Sequence, residues 1–170
     1  MSKYANGFYQ IKNPSKYVGK KDPHFRSGWE HVFMRFCDEN PAILQWASEA
    51  VHIPYRNPFT GKQTIYVPDF MVVYVKKNGE KHAELIEVKP TKETSLDEAK
   101  SPRDQAAAVL NMHKWQAAQA WCDQHGLKFR IVTENDIFHF YAAARSGIRL
   151  PPMTCIRRRI SWRSGRLCWT

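Results

Sequence analysis

The sequence predicts an α/β domain, a mixed β-sheet flanked by helices, and three observations predict it. Two short apolar runs flank Asn78-Gly79 and read as a β-hairpin. Two stretches, Gly28 to Glu39 and Ser101 to about His125, carry helical periodicity with start and stop signals. A strand-like run, Leu127 to Thr133, follows the second helix, and the order helix, strand, hairpin, helix, strand describes helices packed on a mixed sheet. At 170 residues and 43% hydrophobic, the chain is long enough for one core and too short for two independent ones.

Residues 1 to 26 carry Lys12, Lys16, Lys20, Lys21 and Arg26 among Asn-Pro, Gly and Asp-Pro turn signals. They predict an extended or looped segment whose cations suit phosphate contact; a solvated basic loop is the plainer reading. From Gly28 to Glu39, Trp29, Val32, Phe33, Phe36 and Cys37 form one apolar stripe, and Asn40-Pro41 ends it. Ser27 and Glu30 make a capping box, in which Glu30 reaches back to the Ser27 amide. Residues 44–53 read as a strand, with Glu49 an exposed strand residue, and Pro54 to Gly61 as a loop whose Tyr55 and Arg56 would suit a nucleic-acid contact.

After the hairpin, Pro90 stops the strand and 91–100 is a charged connector. Ser101-Pro102 with Asp104 starts the second helix and Gly126 ends it. Its predicted core stripe is Ala106, Val109, Leu110, His113, Ala117, Ala120 and Trp121. Gln105 and Lys114 suit a phosphate chemically, but spacing alone places neither there. Glu134 to Ile137 reads as a turn with a short helix or edge beyond it.

The hairpin carries the chemistry. Asp69 stands on one arm, Glu87 on the other, and Lys89 two positions on. A two-residue loop at Asn78-Gly79 sets Asp69 opposite Val88 and points the two carboxylates through different faces. A three-residue loop, Lys77-Asn78-Gly79, closed by a left-handed glycine, pairs Asp69 with Glu87 instead. Asp69, Glu87 and Lys89 then share one face, and Phe70, Ile86 and Val88 share the other. Two adjacent carboxylates repel, and an all-oxygen ligand set suits Mg²⁺ or Mn²⁺. An exposed hairpin face with a solvated Glu/Lys pair fits the strand pattern equally well.

Pro68-Asp69, followed eighteen positions after Asp69 by Glu87-Val88-Lys89, resembles the PD-(D/E)xK nuclease signature. With RSGWEHVFMRFCDENPAILQWASE before it, and a long helix and LKFRIVTENDI after it, the order resembles the TnsA-like endonucleases. It is similar, more closely, to the head completion nucleases of large tailed phages, whose opening resembles Asn13 to Gly19. The resemblance covers roughly 10–140 and implies a restriction-endonuclease-like core. It implies that Asp69, Glu87 and a first-helix glutamate, here Glu30, bind Mg²⁺ with the Val88 carbonyl. It also implies that Lys89 assists a water attacking a DNA phosphodiester to leave a 5′-phosphate.

The division expected is a nuclease domain over 1–140 and an arginine-rich extension over 141–170. From Arg145 onward there are seven arginines with no lysine or acid, leaving +3 of the +10 net charge to the rest. Arg157, Arg158 and Arg159, with Trp162 and Trp169 near them, suit a nucleic-acid contact, and equally a basic extension binding any polyanion. No apolar run is long enough to span a bilayer and the N-terminus carries no signal-peptide pattern, so no membrane partner and a cytoplasmic place in the host cell are expected. Cys37, Cys122, Cys155 and Cys168 have no metal-ribbon spacing and read as reduced thiols. Two other functions fit: a virion-associated protein that binds DNA ends beside head or portal proteins, and a transposon end-cleaving subunit working with a transposase. A homo-oligomer is compatible with either.

Overall fold

The hairpin singled out by the sequence is the middle of the sheet. In the computed structural model, which describes residues 5–76, 78–94, 99 and 101–137 and the backbone of 160–163 and 166–169, twelve principal elements follow in chain order. They are β1 (Gly7–Phe8), β2 (His24–Phe25), α1 (Gly28–Glu39), β3 (Ile43–Ser48), β4 (Ile53–Arg56), β5 (Gln63–Tyr66), β6 (Phe70–Val75), β7 (Lys81–Val88), α2 (Pro102–His125), β8 (Lys128–Val132), β9 (Ile160–Arg163) and β10 (Arg166–Trp169). The main sheet runs β3-β6-β7-β8, antiparallel except where β8 joins β7 in parallel. This is the mixed α/β sheet expected of a restriction-endonuclease-like core.

The register of β6 and β7 runs from Phe70↔Ile86 to Val75↔Lys81. Lys76 N donates to Glu80 O and Gly79 N to Lys76 O, both at 2.9 Å, and Gly79 adopts φ +82°. Gly79 is therefore needed for its left-handed backbone, and the loop is the three-residue one. One step past Phe70↔Ile86, this register sets Asp69 against Glu87.

Alternation along β7 separates two cores. Ile86 and Val88 pack with Phe70, Val72 and the Val32, Phe33, Phe36 and Cys37 stripe of α1. Leu85 packs the other way, with Ile131 and the Trp115, Ala118 and Cys122 side of α2. Burying each large apolar side chain stabilises by roughly 1.5–3 kcal/mol, so both helices are held by packing rather than by propensity. Ser27 and Ser101 cap α1 and α2 through bonds from Glu30 N and Asp104 N, each 3.1 Å, and Gly126 closes α2 at φ +67°.

Three expectations change. The strand expected over 44–53 ends at Ser48, and Glu49 is half-buried in the left-handed region at φ +49°. The loop expected over 54–61 contains β4, which pairs with β5 and buries Ile53, Tyr55 and Tyr66 against α2. Tyr55 is thus in a core, and Arg56 Nε donates to Gly61 O. The stripe predicted for α2 is rotated: Ala108, Trp115, Ala118 and Cys122 are buried, while Ala106, His113 and Ala120 are exposed. Apolar residues and alanines lie all round this helix, so its periodicity does not single out the buried face.

The N-terminal segment is mostly loop, with β1 and β2 briefly paired and Val18 N bonded to Trp46 O along the outer edge of β3. Cys37 and Cys122 are buried and free. Among the described residues no helix is long and apolar enough to cross a membrane. The boundary expected at 140 lies outside the described residues, as do Arg157, Arg158 and Arg159; beyond it β9 and β10 pair antiparallel.

Candidate active site

Asp69 lies between β5 and β6, and the Pro68-Asp69 bend turns its side chain across to β7. Its Oδ2 accepts a 2.8 Å hydrogen bond from Val88 N. Glu87, 5% exposed, is held from two sides: Tyr66 Oη donates to its Oε2 at 2.7 Å, and Lys89 Nζ lies 3.3 Å from its Oε1. Lys89 is itself fixed by its backbone, which donates to Val132 O on β8 at 3.0 Å. The three residues predicted to share a face therefore do so, on the side of the sheet that α2 covers.

Charge is crowded at this site. Burial, then the Glu87 and Glu30 charges, push the Asp69 carboxyl well above the usual carboxylate range, against the pull of Lys89 and the Val88 amide. Burial alone would lower Lys89; the Glu87 and Asp69 carboxylates more than offset it, so this ammonium is held charged. Burial, then Glu87, raises the Tyr66 phenol, which stays a donor. A raised Asp69 carboxyl facing the Glu87 carboxylate, with oxygen donors only, is a donor set that suits a hard divalent cation.

Glu30 sits apart from the pair in its hydrogen bonding. Its Oε1 accepts from Ser27 Oγ and its Oε2 from Arg26 N, each at 2.9 Å, which closes the N-terminus of α1. The cap thus forms, with the Arg26 amide rather than that of Ser27 as the backbone donor. The Glu30 charge is nonetheless felt at Asp69. Among the described residues, no three His, Cys, Asp or Glu side chains stand together as a metal-binding group. The predicted ligands Asp69 and Glu87 are brought together, the Val88 backbone adjoins both, and Glu30 is engaged at the cap.

The cations expected on DNA divide by place. Lys12 Nζ pairs with Glu39 at 2.6 Å, and Lys16 Nζ donates to the carbonyls of Asp38 and Asn40 at 2.9 and 2.8 Å. Both are tied to the C-terminal end of α1, about 12 Å along the axis from Glu30. Lys20, Lys21 and Arg26 instead line an open cleft of about 900 Å³ that also takes in Phe8, His24 and Glu49. Arg26 pairs with Glu49, whose amide donates to Asp69 O at 2.9 Å, so this cleft adjoins the carboxylate patch.

Two members of the site are placed there by the structure and not by the sequence. Tyr66 is not singled out in the sequence; its place three residues before Asp69 was the available signal. Lys114 comes from α2, with Nζ 5.9 Å from the Tyr66 ring centre. Burial lowers its pKa, Glu87 and Asp69 pull it up, and Lys89 pushes it down, with a net lowering.

Comparison with known proteins gives the family. The family described as "TnsA-like endonuclease N terminal" matches residues 40–134, a span that holds Asp69, Glu87, Lys89 and Lys114 and leaves out Glu30. The chain is 36% identical over 143 residues to the head completion nuclease of Enterobacteria phage T4, covering 78% of this chain and 93% of that protein. A hairpin register that opposes Asp69 and Glu87, the matched span around it and the extent of this identity lead to one assignment: the chain belongs to the TnsA-like endonuclease family.

Proposed function

We propose that this protein is a Mg²⁺-dependent DNA endonuclease that hydrolyses phosphodiester bonds at DNA ends during phage head completion, with Mn²⁺ able to replace Mg²⁺. The observation that carries the reading is the opposition of Asp69 and Glu87, with Lys89 paired to Glu87 at 3.3 Å on the same face. Asp69 and Glu87 would hold the ion with the Val88 carbonyl, and Glu30 would join them on leaving the cap. A hard divalent cation there supplies Lewis acidity to a phosphate oxygen and acidifies a water.

The chain's own residues do the rest. Tyr66 and Lys89 hold the Glu87 carboxylate from two sides, so the ligand is oriented before substrate arrives. Lys89, kept charged by its two carboxylate neighbours, orients the attacking water and stabilises charge developing on the phosphate. Lys20, Lys21 and Arg26 position the DNA backbone without reading sequence.

Incubation of supercoiled, linear and branched DNA with the protein in Mg²⁺, Mn²⁺ and EDTA, beside Glu87→Ala, tests this. Cutting that needs the metal and disappears in Glu87→Ala is the expected result. One observation favours a second reading: Glu30 is spent on the α1 cap. A protein that binds DNA ends tightly and cuts none of these substrates would be a DNA-end-binding virion component instead.

A further inference from the structure

Lys114 stands beside the carboxylate pair with no salt bridge of its own among the described residues. Trp115, beside it in sequence, is buried against Leu85 and Ile131, and this fixes the rotation of α2. Lys114 consequently emerges half-buried at the margin of the packed stripe, over the ring of Tyr66. That ring's hydroxyl is the one that holds Glu87. Among the described residues the Lys114 ammonium has neither a hydrogen bond nor an ion pair, whereas that of Lys89 is engaged by Glu87. The Glu87 and Asp69 carboxylates are felt at this half-buried ammonium but do not offset its desolvation, so it suits a place where a ligand supplies a further anion in direct contact.

We propose that Lys114 is a substrate-binding residue, whose ammonium holds a non-bridging oxygen of a DNA phosphate at the Asp69–Glu87 site with the Tyr66 ring as its platform. This rests on the nuclease reading and adds a residue to it. The face then carries two lysines with separate tasks. Lys89 belongs to the carboxylates, and Lys114 belongs to the incoming phosphate. Its flexible stem and cation–π seat suit a contact made when the strand arrives.

The test is the affinity of the full chain for a short DNA duplex, read by fluorescence anisotropy in EDTA over a series of KCl concentrations. Lys114→Met should lower the slope of log K against log salt by about 0.9, the value of one lost phosphate contact, while Lys114→Arg keeps the wild-type slope. In Mg²⁺, Lys114→Met should raise KM about tenfold or more and Lys114→Arg should recover most of the loss, with both melting like the wild type. A wild-type slope for Lys114→Met overturns the proposal. So does a lowered melting temperature accompanied by an equal loss of slope in Lys114→Arg, which would make Lys114 a support for Tyr66 alone. Failure of the wild type to cut DNA would remove the nuclease reading yet leave this slope measurable, so the two failures are distinguishable.

Discussion

The phenol of Tyr66 donates a 2.7 Å hydrogen bond to Glu87 across the gap between β5 and β7. It ties the small β4–β5 hairpin to the central strand, and it gives a carboxylate that is only 5% exposed a second partner besides Lys89. Tyr66→Phe leaves the ring in its core and removes that donor. Support of this kind is worth about 10–100-fold in metal affinity or activity. The variant should lose about that much in kcat, with a stability change of about 1 kcal/mol. Single-turnover cleavage and urea denaturation check the two parts.

Asp69 is held against its own charge. Its carboxyl is raised by burial and by the Glu87 and Glu30 charges, so in chelator the folded chain keeps a proton that the unfolded chain releases. The contribution of Asp69 to stability is therefore lost as pH rises from the usual carboxylate range through the folded value. Asp69→Asn can still accept from Val88 N and removes the repulsion. It should abolish cleavage while raising the melting temperature in EDTA at neutral pH by roughly 2–4 °C, the equivalent of about 1 kcal/mol in a chain of this size. Thermal melts from pH 4 to 8 would show the wild type falling relative to the variant as pH rises; parallel curves would contradict the account.

The two groups of N-terminal cations should separate in experiment. Asp38 is fully buried and accepts from Tyr9 Oη, Lys12 N and Asn13 N, so it anchors the segment that Lys16 also ties to α1. Asp38→Ala strands these donors and should cost about 3 kcal/mol. Lys16→Met should cost about 1 kcal/mol and leave DNA affinity near the wild-type value. Lys20→Ala with Lys21→Ala should do the reverse, weakening DNA binding and flattening its salt dependence without moving the unfolding midpoint.

Gly79 sets the register on which the site depends. At φ +82° it has open space where a Cβ would stand, so Gly79→Ala meets no clash and bears only the backbone cost, roughly 1–2 kcal/mol. Denaturation of the variant measures that cost directly. Retained cleavage at permissive temperature would show that the pairing of Asp69 with Glu87 survives it.

Much of this was legible without coordinates because it is local. The Ser27 and Ser101 caps, the Gly126 stop and the left-handed Gly79 are decided by a few neighbouring residues, and α1 and α2 have the expected limits. The hairpin register follows from loop length, and a period of two then assigns Asp69, Glu87 and Lys89 to one face. Local sequence therefore identified the strands and narrowed the register to two loop lengths, and the folded hairpin chose the one that opposes Asp69 and Glu87. Tertiary structure alone decided what surrounds that pair. The rotation of α2 depends on Trp115 finding Leu85 and Ile131, contacts between residues distant in the chain, and only that rotation brings Lys114 over Tyr66. The turn at Glu49 with its Arg26 pair and the packing of the β4–β5 hairpin on α2 likewise arise from contacts between residues distant in the chain, since packing, not propensity, selects among the conformations short polar stretches allow.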